Sequence, residues 1–231
     1  MKKLLSLAFA VLASVLTTQI KAQNIQLFYD TGRNCATSTI EMFRPDKGGS
    51  TYFFIDMDYS PTITGAYWEI AREFNFWQNT SMGWLSAHIE YDGGLTTGFS
   101  FSNNTLVGLT YSGHSKDYSK TWSLSAMYKT IFCKPDIQHS FQITGVWGID
   151  FAKGWCTFSG FFDLWRENMY REENSTPDFI FMSEPQFWVN LNKIKGWDNV
   201  NLSIGGEVEL SANFVAKGFH VMPAVGAKYT F

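Results

Sequence analysis

Charge is scarce in this chain. Only 17% of its 231 residues are Asp, Glu, Lys or Arg, against about 25% in an ordinary globular protein, so part of its surface is built for something other than water. Positive charge is scarcer than negative, 18 Lys and Arg against 21 Asp and Glu, and that balance excludes a basic nucleic-acid footprint. Cysteine is almost missing: Cys35, Cys133 and Cys156 are an odd number, so at least one thiol stays free. Neither a Cys-x-x-Cys pair nor a His-x-x-x-His on one face occurs, so no metal site is expected. Gly48-Gly49, Gly93-Gly94 and Gly205-Gly206 read as turns and bends rather than a phosphate loop, and no cofactor is expected. Beyond residue 23 there is no apolar run of the roughly 20 residues that a spanning helix needs.

The one apolar stretch lies at the start. Met1 to Ala22 opens with Lys2 and Lys3, runs apolar from Leu4 to Leu16, and reaches Ile20-Lys21-Ala22 before Gln23. It reads as a cleavable secretory signal over 1–22, with no cysteine near the cleavage point to make a lipoprotein. Residues 23–231 are then a single exported domain without repeat or linker.

Aromatics are abundant, 17% of the chain, with 21 Phe, 10 Tyr and 9 Trp, beside 19 Gly and a mean hydropathy of −0.12. A barrel facing lipid needs that bias, because its outer band is apolar and ringed by aromatics while its interior is polar. The C-terminal segment shows the pattern directly: Phe219, Val221, Pro223, Val225, Ala227, Tyr229 and Phe231 fall on one face, and His220, Met222, Ala224, Gly226, Lys228 and Thr230 on the other. The edge strand of a soluble sandwich has the same period. The terminal Phe with a Tyr two residues before it also resembles the signal read by the outer-membrane assembly machinery, which makes that machinery an expected partner.

Alternation and turn punctuation predict twelve strands, near 24–30, 36–44, 51–58, 66–76, 84–91, 104–112, 120–132, 138–149, 155–166, 178–190, 199–210 and 219–231. Ten or fourteen also satisfy the punctuation. The fold class expected is all-β, a transmembrane antiparallel up-and-down β-barrel integral to the bacterial outer membrane. An even count puts the two longest segments, 92–103 and 167–177, at the outer end, and the tight links 46–50 and 150–154 at the periplasmic end. Cys35 and Cys133 fall nearly opposite each other in such a wall, too far apart for a disulfide.

Turning the more apolar set of each strand to lipid leaves an acidic, aromatic lumen. Its expected lining is Glu41, Phe54, Asp56, Asp58, Tyr67, Glu69, His88, Glu90, Trp155, Phe161, Asp163, Glu184, Glu207 and Glu209, with Glu73, Ser86, Trp165, Gln186, Lys129 and Lys228. Arg72 points to lipid by parity, which predicts a bulge or a register shift there. Such a lining repels anions and admits neutral or cationic solutes. Rings beside carboxylates and amides suit a flat, polar ring solute. A buried ion network plugging a narrow barrel is the alternative.

The segments Glu41-Met42-Phe43, Gly49-Ser50-Thr51-Tyr52-Phe53-Phe54-Ile55-Asp56-Met57-Asp58 and Tyr67-Trp68-Glu69-Ile70-Ala71-Arg72 together resemble the Tsx-like superfamily of nucleoside-specific channels, most of all a Bacteroidetes branch. The resemblance covers about 30 residues on strands two to four; the remainder agrees in strand pattern and terminal Phe. It implies a monomeric twelve-stranded barrel that passes nucleosides by facilitated diffusion, with Glu41, Phe54, Asp56 and Glu69 at the lumen. Those carboxylates, with Arg72, serve equally as a charge network fixing the barrel.

Two other classes stay open. An outer-membrane lipid hydrolase needs a Ser, a His and an acidic or amide partner together. Of His88, His114, His139 and His220, His114-Ser115 lies in a turn and His139-Ser140 opens a strand without an acidic orienter, so no catalytic residues are assigned and no enzyme is expected. An adhesive or structural barrel needs large patterned loops. Here the longest, around Arg166 to Asn174, is on the order of a dozen residues and either constricts the pore or lies in solvent.

Overall fold

A computed structural model describes residues 23–98, 103–134, 137–168, 178–214 and 216–231. The expected leader at 1–22 and the expected constriction at 167–177, save its first two residues, lie outside the described residues.

Strands run β1 Gln23–Asp30, β2 Cys35–Asp46, β3 Gly49–Tyr59, β4 Ile63–Phe74, β5 Leu85–Thr96, β6 Asn104–His114, β7 Lys120–Ile131, β8 His139–Phe151, β9 Cys156–Glu167, β10 Asp178–Ser183, β11 Gln186–Asn190, β12 Leu202–Ala212 and β13 Phe219–Thr230. Neighbours in sequence pair antiparallel, and β1 closes on β13 from Asn24 opposite Thr230 to Asp30 opposite Ala224. Segments β10 and β11 both pair with β9 and β12, so they share one wall position and the barrel is a closed sheet of twelve.

Their interruption has a local cause. Pro185 has no N–H to give to the ladder, yet the pairing resumes in the same register, Ser183 opposite Phe162 and then Gln186 opposite Ser159. Gly160 lies against the gap with φ 153°, where an added Cβ would stand 2.4 Å from the Glu184 carbonyl oxygen, so only glycine lets the two backbones approach.

The outer face is apolar. Leu27, Ile70, Ile89, Val107, Leu109, Leu124, Ile204 and Val225 are all exposed, a belt suited to lipid tails. Aromatic rings gather at both rims. Near the end carrying Gln23 and Phe231, here the terminal end, Trp84 packs on Tyr111 at 4.6 Å, Tyr111 on Trp122 at 4.7 Å, and Tyr229 on Phe231 at 5.2 Å. At the far end Phe141 meets Phe179 at 6.2 Å and Tyr128 meets His139 at 5.9 Å. Such rings sit at headgroup level in a bilayer.

Three expectations are corrected. Arg72 does face outward, but without a bulge: β3 and β4 pair without a shift from Gly49 to Asp58. Arg72 lies near the terminal rim, where its Nη1 and Nη2 donate to both Asp46 oxygens at 2.6 and 2.9 Å, so water and a counter-ion meet the charge. Second, the 92–103 segment is not all loop. β5 runs on to Thr96 because the glycines extend it: the Trp68 ring lies over Gly93, where a Cβ would come 2.9 Å from its Nε1. Third, link length does not separate the two ends, since the terminal-end links 75–84 and 191–201 match the far-end links 97–103 and 168–177. Cys35, Cys133 and Cys156 are all free.

Candidate functional site

Register puts the expected lumen carboxylates and rings that lie within strands on one face of the wall, opposite the exposed apolar belt, whereas Trp155 lies before β9 and is exposed. Gln26, Thr39, Asp56 and Tyr67 form one cross-strand row, and Asn24, Glu41, Phe54, Glu69, Asp92 and Asn104 form the next. Ser159, Gln186 and Glu207 form a row on the other side, and by the same register Glu184 stands opposite Glu209. Phe161, Asp163 and Trp165 share the inward parity of β9, with Trp155 just before it.

Individual carboxylates have individual neighbours. Glu41 Oε2 accepts from Gln26 Nε2 at 3.0 Å and Asn24 Nδ2 at 3.3 Å. Asp56 accepts from Thr39 at 2.5 Å, and Glu69 from the Tyr67 hydroxyl at 2.9 Å. The expected network of Glu41, Asp56, Glu69 and Arg72 therefore does not form. Phe54 separates Glu41 from Glu69 along their row, and Arg72 is on the opposite face.

A different network does form, on β4 to β9. His88 Nδ1 is 2.6 Å from Glu73 Oε1 and its Nε2 3.2 Å from Glu90 Oε2, contacts that an imidazolium between two carboxylates satisfies by donating from each nitrogen. Thr110 donates to the same Glu73 oxygen at 2.7 Å and meets Ser125 at 2.8 Å. Oxygens of Glu69, Glu90 and Asp92 all lie within 4.8 Å of one another. Lys129 Nζ, 3.9 Å from Asp92 Oδ2, donates to Gln142 Oε1 at 2.7 Å and lies 5.0 Å over the Trp165 ring. Gln142 and Thr144 then donate to Asp163.

Five carboxylates of this network, Glu69, Glu73, Glu90, Asp92 and Asp163, face two cations, His88 and Lys129. Two unit charges at 4.8 Å repel by about 3.5 kcal/mol at an effective dielectric of 20, so the excess weighs on the whole wall.

Sequence reading missed Asp92, which is 1% exposed; carrying the alternation of Ser86, His88 and Glu90 one step on, up to Gly93-Gly94, finds it. It also missed Arg33, in the β1–β2 link, whose Nε is 2.5 Å from Asp30 and whose Nη1 is 3.3 Å from Asp58. Periodicity is silent about a link residue.

Apolar side chains are buried among these polar groups. Leu106, opposite Glu90 and Lys129, is fully buried, as are Ile131 and Ile180, and Trp165 packs on Phe214 of the β12–β13 link at 5.9 Å. On the opposite wall Trp188, also fully buried, packs on Phe28 at 5.7 Å under the Lys228 ammonium at 4.4 Å.

Residues 22–231 match the profile of DUF5020, a domain of unknown function. The chain belongs to the DUF5020 family. No curated protein matches it in sequence. Among solved structures it is similar to the NanC porin, with a TM-score of 0.58 at 10% identity over 91% of this chain and 100% of the porin. This DUF5020 chain thus has the fold of an outer-membrane porin barrel. The β domain of the Bordetella autotransporter BrkA aligns over 91% of this chain and 99% of its own at 9% identity, with a TM-score of 0.40.

Proposed function

We propose that this DUF5020 barrel is a passive outer-membrane channel for small neutral or cationic solutes, nucleosides first among them. The observation that carries the reading is the ring ladder beside carboxylates: Phe54 lies 6.0 Å from Tyr52 on one side and 6.0 Å from Tyr67 on the other, with Glu41, Asp56 and Glu69 around it. A base stacks on such rings and its amino and imino groups donate to carboxylates. The acidic field admits cations and turns away anions. The resemblance to Tsx-like channels in this same stretch points the same way. In this reading the chain is exported by its leader, assembled through its C-terminal strand, and acts as a monomer without cofactor or energy coupling.

The buried Leu106, Ile131, Ile180 and Trp188 favour a second reading, a structural barrel whose interior is filled. An enzymatic reading finds less support, since His114 Nδ1 meets the carbonyl of Ser115 at 2.8 Å rather than its hydroxyl.

Single-channel conductance of the refolded protein in planar bilayers, titrated with adenosine, thymidine and a neutral sugar, tests these readings. Cation-selective conductance blocked by nucleosides and not by the sugar is the expected result. Conductance without nucleoside block removes the solute assignment, and no conductance leaves the filled barrel.

A further inference from the structure

Glu69, Glu90 and Asp92 converge from β4 and β5 with oxygens mutually within 4.8 Å. The cations nearby are already engaged, His88 between Glu73 and Glu90, and Lys129 with Gln142 and Trp165. Two buried oxygens at this spot have no hydrogen-bond partner. One is Asp92 Oδ1, on the other arm of the carboxylate that faces Lys129. The second belongs to a neutral side chain: Asn104, 7% exposed, stands opposite Asp92 in the β5–β6 register with Nδ2 3.5 Å from Asp92 Oδ2, and its Oδ1 is bare. Buried acceptors are ordinarily satisfied, and two touching side chains that each keep a bare oxygen call for a donor or a cation.

Ligand chemistry narrows the choice. Every candidate ligand atom is oxygen, from three carboxylates and one amide, with no imidazole or thiolate at liberty, so the set suits a hard cation and not zinc or copper. Calcium accepts carboxylates and neutral carbonyl oxygens in irregular geometry, whereas magnesium demands an octahedron and retains its waters. With all five carboxylates ionised, a divalent ion also lowers the excess of three negative charges in the network to one.

We infer that Glu69, Glu90 and Asp92, with Asn104 Oδ1, bind a calcium ion inside the barrel wall. The ion ties β4, β5 and β6 together and tempers the acidic field, whatever solute passes.

The test uses the refolded full barrel in detergent, freed of metal by chelator. Terbium luminescence sensitised by the protein's aromatic rings is read during titration, then competed with calcium and with magnesium, and thermal unfolding is followed in parallel. One terbium site, displaced by calcium at least tenfold more readily than by magnesium, and an unfolding midpoint several degrees higher in calcium are expected. Asp92→Asn and Glu69→Gln should each abolish both signals, and Asp46→Asn, at the terminal rim, should keep them. Should both lumen variants fail to fold, the stoichiometry and competition on the unmodified protein still decide. No luminescence, no calcium shift, a shift that Asp92→Asn retains, or stability that ignores calcium and rises as pH falls would each overturn the site, the last by assigning the neutralisation to protons.

Discussion

Glu41 and Asp92 occupy the same cross-strand row of one barrel, both facing inward, and their surroundings are opposite. Glu41 is answered by two amides, Asn24 and Gln26, on the adjoining strand. Asp92 has two carboxylates within 4.8 Å, a lysine at 3.9 Å, and an oxygen with no partner. Two neutral donors already answer one oxygen of Glu41, so that part of its hydrogen bonding is met without any solute. Clustered carboxylates store repulsion that a bound ion or a passing cation relieves, which is the behaviour of a working site.

The largest effect that tests this contrast is removal of the shared cation. Lys129→Met leaves Asp92 and its neighbours buried without their lysine and should destabilise the barrel by about 3–5 kcal/mol, read by urea unfolding in detergent. A loss under 1 kcal/mol would mean that water already screens the cluster. At the other carboxylate, Glu41→Ala removes the acceptor of the buried Gln26 amide and the half-buried Asn24 amide and should cost about 1–2 kcal/mol, with Glu41→Gln costing less because an amide oxygen still accepts. Equal losses for the two variants would show that the charge of Glu41 matters and bring it closer to Asp92 in kind.

Asp92→Asn should act in the opposite direction. In chelator it removes repulsion from Glu69 and Glu90 at the expense of attraction to Lys129, a net gain on the order of 1 kcal/mol, and a destabilised variant would place Asp92 among the structural carboxylates. Asp46→Asn breaks the outward Arg72 pair, which water screens, and its unfolding midpoint should match that of the unmodified barrel.

The smallest effect belongs to the 115–119 turn. Hydroxyls of Ser115 and Ser119 and the Ser119 N–H hold the Asp117 carboxyl down at about 2. A lowered folded-state value contributes stability above the usual carboxylate range and loses it as pH falls through about 2, so exchange of the Ser119 amide, slow-down for pH itself allowed, should accelerate only below about pH 4.

Much of the fold was legible along the chain. The alternation in 219–231 and 199–210 predicts which residues of β13 and β12 face outward, and the paired strands confirm it residue by residue. Inward placement of Glu207 and Glu209 followed from the same count. Arg72 was harder, because parity says only which face a side chain takes and not how near the rim it lies or that Asp46 is within reach. Asp92 was lost at a glycine pair that looks like a turn and is a strand under a tryptophan ring.

Alternation of side chains along a strand is a local property, so twelve strands, an apolar outside and an acidic inside could be read from residue order alone. Which acids meet is not local. Glu69, Asp92 and Asn104 come together because three strands pair in one register around a closed wall, and Glu41 and Glu69 stay apart because Phe54 takes the place between them. Register depends on the whole sheet, so only the closed barrel separates carboxylates that are satisfied from carboxylates that wait for a cation.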